Sequence, residues 1–315
     1  GSVRLFADAG GGAMGVGGAG VGLALAVGDV SSVTAAEIAD GVVVKAGDDV
    51  AADADGNLDD ELYAASFGLA LDGKGAGGSL VWSLIDDATT ASLGSGAEIV
   101  ATGDVSITAG DSAIDRSYLE AGAGAMSASD SGFGISIVTL DRHDRVTADI
   151  GADSRIALGG SLTFDALSRE SISLTAVGGA GAEATGIAGS ATLANITEDT
   201  TATLGDRTVV EGVTAGDRPD SVAMKADDAT TLTQIAGAAG IGGDNGVGAG
   251  LVQAALAKTT TATVGNAADL DSAGAVTVRA DSLETVRAYA VSLAGSLGEV
   301  AVAGALVVQT VDLTT

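Results

Sequence analysis

The sequence contains no cysteine, one proline, one histidine, one tryptophan and 3% aromatic residues in 315 positions. The missing thiols exclude disulfides, Cys-ligated zinc and thiol nucleophiles. With so few rings, any core is thin and filled by small or branched aliphatic groups. Basic residues are also scarce, 14 against 42 acidic ones, for a formal charge of −28. Such a chain repels nucleic acid and anionic lipid, so neither is an expected partner. Its Lys and Arg are scattered, and do not form the basic cluster that a polysaccharide-cleaving β-helix enzyme would need. No apolar run reaches the ~18 residues of a membrane helix, and the aromatic girdles of a membrane barrel are missing, so no membrane insertion is expected.

What is present is glycine, 49 residues of it, and a motif that returns. Thr261-Ala262-Thr263-Val264-Gly265 and Val276-Thr277-Val278-Arg279-Ala280 are two short alternating runs. The aliphatic residue of the first recurs as Ile38, Leu93, Ile150, Leu204 and Val264, in steps of 55, 57, 54 and 60. A period of about 56 residues marks a repeat array rather than separate globular domains. The longest step carries an insert around Asp217-Arg218-Pro219-Asp220-Ser221, where the only proline marks a loop. The units run approximately 1–33 (partial), 34–88, 89–145, 146–199, 200–259 and 260–315 (truncated), so the chain reads as an excerpt of a longer array. Val3-Arg4-Leu5-Phe6-Ala7 fits the second run as a half copy.

Two residues before each aliphatic anchor stands an alanine: Ala36, Ala91, Ala148, Ala202 and Ala262. Thr or charged residues alternate with them, which predicts strands with the alanines on the buried face. Gly94, Gly151, Gly205 and Gly265 follow, with Ala39 the exception, and are expected to supply a bend. The second runs bury Val50, Ala52 and Ala54, then their counterparts as far as Val276, Val278 and Ala280. About 35 residues of Gly/Ala-rich sequence separate the units, each split by a turn cluster such as Gly242-Gly243-Asp244-Asn245-Gly246. They predict two long strands folding back on each other, with silk-like close packing. A helix remains the alternative for 60–67 and 116–128. Tyr63, Tyr118 and Tyr289 each fall 25 residues after their anchor, which predicts an in-register tyrosine ladder. The expected fold is all-β, an elongated repeat β-solenoid of stacked units with long Gly/Ala-rich strand pairs.

Candidate sites are few. His143, in Asp141-Arg142-His143-Asp144-Arg145, reads as part of an exposed charged strand. Gly94-Ser95-Gly96 is a turn and not a nucleophile elbow, and Gly15 to Gly22 lacks the Lys-Ser/Thr ending of a phosphate loop. No catalytic, cofactor-binding or metal-ligating residue is assigned, no enzyme activity is expected, and no cofactor is required. Calcium is the one candidate ion. Asp8, Asp55, Asp227 and Asp281 follow the closing alanine, and Asp48, Asp49 and Asp104 mark the turn before it, so stacking would align like charges for a cation to screen. Ordinary solvated turn acids explain the same pattern. Thr34, Thr89, Thr200 and Thr260, with Thr90, Thr147, Thr201 and Thr261, form columns that suit a hydroxyl lattice as well as simple strand pairing.

The succession Thr-x-Ala-x-Ile/Leu/Val-Gly, Val-x-Val-x-Ala-Asp and a Gly/Ala-rich hairpin resembles the repeat regions of giant bacterial filamentous adhesins of the haemagglutinin and leukotoxin-like type. The 56-residue period departs from the shorter coil usual in that family. The resemblance implies β-solenoid stalks or fibres at the bacterial cell surface, and it supplies no active residues. The expected function is therefore a structural segment of an extracellular adhesin or self-assembling surface filament. Its partners would be neighbouring repeats of the same or identical chains, beside a host or matrix ligand that the sequence does not identify. The alternative is a calcium-dependent or carbohydrate-binding β-roll module.

Overall fold

Period-two alternation runs through almost every segment, and the computed structural model, which describes residues 2–110 and 113–315, turns it into strands with no helix among the described residues. The first strands are β1 (Ser2–Gly15), β2 (Gly20–Ile38) and β3 (Val43–Ala46). Next come β4 (Val50–Ala54), β5 (Asn57–Ala70), β6 (Gly75–Leu93) and β7 (Glu98–Ala101). The third coil holds β8 (Val105–Ala109), β9 (Asp115–Ser127), β10 (Ser131–Ile150) and β11 (Arg155–Leu158). The fourth has β12 (Leu162–Ala182), β13 (Thr185–Leu204) and β14 (Val209–Gly212). The last are β15 (Val222–Gly242), β16 (Asn245–Val264), β17 (Asp269–Leu270), β18 (Val276–Ser296) and β19 (Val300–Thr314). The segments 60–67 and 116–128 are strand, so the helical alternative is wrong.

Each coil visits three sheets in turn, and every pairing joins a strand to its counterpart one coil away, in parallel. The first sheet runs β1-β5-β9-β12-β15-β18, with β4 and β8 extending it; the second runs β2-β6-β10-β13-β16-β19, and the third β3-β7-β11-β14-β17. The chain is thus a parallel β-solenoid whose single coil spans the whole repeat. The paired arms fold back as expected but are not hydrogen-bonded hairpins: β12 and β13, for instance, lie in opposite sheets and bond only to neighbouring coils. A hairpin would exhaust its backbone groups within one unit, whereas this arrangement passes them from coil to coil.

The register is the one that the anchors predict: Ile38, Leu93, Ile150, Leu204 and Val264 form one column, and Ala91, Ala148 and Ala202 another, all three fully buried. Two expectations shift. Val3–Ala7 pairs with Leu58–Leu62, beyond the second run, so it is not a half copy of Val50–Ala54. Tyr118 pairs with Glu61, and Tyr63 with Glu120, so Tyr118 stands two residues out of the column that Tyr63 shares with Tyr289. The cause is two extra residues between Ala109 and Asp115, which slide β9 along its neighbour. Tyr63 and Tyr118 still touch diagonally, with centroids 5.6 Å apart.

In cross-section the coil is a wedge. The short third sheet forms the base, and the two long sheets converge over about 20 residues, or roughly 65 Å, towards a tight turn. The inward side chains shrink accordingly. Ile107, Ile156, Phe164 and Met224 fill the base, Leu62, Leu119, Leu174 and Leu256 the middle, and Ala180, Ala188 and Ala238 lie near the tip. At the tip the backbones touch: a Cβ on Gly134 would sit 2.0 Å from the Gly179 oxygen, and one on Gly240 1.9 Å from that of Val247. This is the silk-like approach expected from composition, confined to one end of the coil.

The glycines after the anchors have a different task from the bend assigned to them. A Cβ on Gly151 would lie 2.5 Å from the Ser95 nitrogen, so glycine there admits the adjacent coil's backbone. The left-handed residue falls two positions later, at Gly41, Gly96, Asp153, Arg207 and Ala267. Ala39, the exception, belongs to the first described coil and has no neighbour on that side.

Candidate functional site

Alternation places two kinds of side chain where a folded domain seldom puts them, charge inside and large aliphatics outside. Inward from the alanine column of the second sheet, four residues back, lie Ser32, Asp87, Asp144, Glu198 and Lys258, one above the other. Across the wedge the first sheet presents Asp115, Glu170, Thr230 and Glu284. Between the base core and the middle core there is therefore a polar stripe that runs along the stack.

Its centre is Arg142, fully buried. Nη2 reaches Asp144 Oδ2 at 3.1 Å and Asp115 Oδ2 at 3.2 Å, while Nε meets Glu170 Oε1 at 2.6 Å. Two coils on, Lys258 Nζ bonds Glu198 Oε2 at 2.6 Å and Asp228 Oδ1 at 2.5 Å, with Glu284 Oε1 at 3.5 Å. Ser168 donates to Glu198, and Thr230 Oγ1 donates to the same carboxylate at 3.0 Å. At the other end Ser83 Oγ donates to Asp60 Oδ2 at 2.6 Å.

Charge does not balance here. Among the described residues, Asp60, Asp87, Asp144, Glu170, Glu198 and Asp228 are buried against only Arg142 and Lys258. Burying an uncompensated carboxylate is expensive, so the stripe holds on to protons. Burial pushes Asp115 and Asp144 up to about 6 despite Arg142. Burial, and then the Glu198 charge, pushes Asp228 up to about 9. Glu170 is held well above the ordinary range by burial, against Arg142 and with Glu198 and Asp144 reinforcing it. Glu198 goes the other way: burial opposes its ionisation, yet Lys258 and the donated hydrogen bonds hold it below its usual value.

The outward surface of the wedge is apolar where the interior is glycine. On the second sheet Leu23 is 71% exposed and Ile135 49%. Gly78 and Gly189 open shallow grooves beside them, of about 380 Å³ along Leu23, Leu25 and Leu80 and about 560 Å³ along Ile137, Leu251 and Leu306. Phe67, Met126, Val177 and Tyr289 stand out likewise on the first sheet.

The sequence-derived candidates fall elsewhere. His143 faces out, as expected, but its neighbours Arg142 and Asp144 point inward, so the charged pentapeptide is only half a surface feature. Two of the turn acids, Asp49 and Asp104, act as latches between coils. Asp49 Oδ1 accepts the Asp104 amide and Asp104 Oδ1 that of Ser161, both at 2.7 Å. Asp8 pairs with Tyr63 and leaves the aspartate column, while Asp227 is met by Lys225 and Arg169. Of the threonine columns, Thr89, Thr200 and Thr260 are buried, and the set containing Thr90, Thr147 and Thr201 faces outward, so the described residues form no double hydroxyl lattice. The interior stripe escaped sequence reading, although its signal is present: counting back in twos from Ala148 gives Val146, Asp144 and Arg142, all inward.

Comparison with known protein families, with curated proteins and with solved structures finds no match to this chain.

Proposed function

We propose that this chain is a structural module of an extracellular bacterial adhesin or surface filament, in which coil after coil is added along one axis. The observation that carries this reading is the unbroken coil-to-coil register. β6, β10, β13 and β16 are each hydrogen-bonded on both edges to equivalent strands, while β2 and β19 offer a free edge at either end of the stack. Free edges of that length template further strands, either of the same chain or of an identical one. The charge of −28 limits lateral clumping of the apolar faces and leaves end-to-end addition as the favoured contact. Two measurements test the proposal. Electron micrographs of the purified chain at rising concentration should show ribbons of constant width lengthening end to end. Antibodies to it should label intact producing cells. Compact single particles at every concentration, or labelling only after permeabilisation, would refute it.

A further inference from the structure

Where the polar stripe passes between β6, β9 and β10, the wedge leaves a small, partly open cavity of about 10 Å³, the size of one water molecule or one ion. Asp87, Asp115, Asp144 and Thr89 line it. One carboxylate oxygen from each of the three acids lies within 4.8 Å of the other two. Asp144 is 5% exposed; its Oδ2 takes Arg142, and its Oδ1 is buried with no hydrogen-bond partner among the described residues. Asp87 is buried as well. The backbone leaves the space open, since Gly56 also lines it and a Cβ there would lie 2.7 Å from Thr89 Oγ1.

We propose that this cavity is a structural calcium site, ligated by Asp87, Asp115 and Asp144 with Thr89 Oγ1 as a neutral ligand, that ties two neighbouring coils and both long sheets together. Asp87 and Asp144 are register partners on adjacent strands of the second sheet, and Asp115 reaches in from the first. The ligand set is all oxygen, without the imidazole or thiolate that transition metals favour. Magnesium demands a near-ideal octahedron, whereas calcium accepts an irregular shell of six to eight oxygens, in which water or backbone carbonyls would complete the three carboxylates and the hydroxyl. Asp115, Asp144 and Glu170 share the Arg142 guanidinium, Asp87 faces the same cavity, and Arg169 lines its rim, so acid outnumbers base around it. Asp115 also accepts the Leu58 amide on Oδ1 at 2.8 Å and Arg142 on Oδ2 at 3.2 Å, so the ion would share that carboxylate with both donors. The inference is independent of the filament reading, because it concerns the stability of the coil and not what the coil is part of.

Calorimetric titration of the chelator-stripped chain with calcium up to about 1 mM, the range of extracellular calcium modules, tests it, together with thermal melts. One calcium should bind per chain and raise the melting midpoint, with magnesium ineffective at the same concentration. Asp87→Asn should abolish both effects, while Asp86→Asn, one residue along and facing solvent, should leave them intact. The wild-type chain loaded with terbium supplies a readout that needs no variant. Luminescence lifetimes in light and heavy water should report an ion that has lost about half of its water. No binding to the stripped chain, equal loss in both variants, or a terbium ion that keeps most of its water would each overturn the proposal.

Discussion

Arg142 and Glu170 meet at 2.6 Å across the wedge, the guanidinium from the second sheet and the carboxylate from the first, both fully buried. Breaking a buried pair from one side leaves an uncompensated charge and typically costs ~3–5 kcal/mol. Here the guanidinium serves three carboxylates at once. Arg142→Met should therefore destabilise the chain by about that amount at pH 8 in urea unfolding, and part of the loss should return at pH 5, where the stranded acids take up protons. A loss below ~1 kcal/mol at pH 8 would mean that the stripe is already neutral without it.

The stripe also sets a pH dependence with a definite sign. Asp228 has its folded-state value raised to about 9, so the folded chain binds a proton that the unfolded chain releases near pH 4. Its stabilising contribution is complete below that lower value and is lost as pH rises towards the upper one. Asp115 and Asp144, at about 6, act in the same direction over the first part of that window. Glu198, held low by Lys258 against its burial, acts oppositely and only in acid. Melting temperature should fall between pH 5 and pH 9, and Asp228→Asn should make that fall shallower. Identical slopes in a calorimeter would show that Asp228 is not the proton's seat.

Glycines at the tip of the wedge differ by which way they point. At Gly134 a Cβ would be driven to 2.0 Å from the opposite backbone, so Gly134→Ala should prise the sheets apart and cost about 1–3 kcal/mol. At Gly189, one strand over and facing out, the nearest atom to a Cβ is Ile135 Cγ1 at 3.8 Å. Gly189→Ala should be neutral or stabilising by up to ~1 kcal/mol, because it removes only unfolded-state freedom. Equal effects of the two in chemical denaturation would contradict the inward close approach.

At the base turn the left-handed column offers a matched pair. Ala267 has φ 57 and Gly96 φ 64, and nothing crowds the Gly96 Cβ position. A side chain in that conformation is disfavoured by roughly 1 kcal/mol. Ala267→Gly should stabilise and Gly96→Ala destabilise by comparable amounts, read as opposite shifts in the melting midpoint.

Much of this architecture could be read from the chain itself, because a parallel solenoid repeats its sequence constraints once per coil. Ala91, Ala148 and Ala202 fixed the register, and the alternation around them fixed the buried face. The tyrosines misled because equal spacing from an anchor is not equal register once two residues are inserted between Ala109 and Asp115. The interior charges were missed for a related reason. Asp144 and Arg142 occupy inward positions, but a run of charged residues is read as surface unless parity is followed through it. What alternation cannot show is which opposite-sheet residue each one meets, since Glu170 and Arg142 are 28 residues apart along the chain and belong to different runs.

The wedge also decides how the stack responds to load. With strands about 4.8 Å apart, each 56-residue coil advances the axis by only that distance, so reach is costly in residues, while the section is roughly 65 Å wide and, with side chains, ~20 Å thick. Flexural rigidity scales with the square of the depth at fixed area, which makes the ribbon roughly tenfold stiffer edgewise than flatwise. Such a body yields like a leaf spring in one plane and stands like a plank in the other.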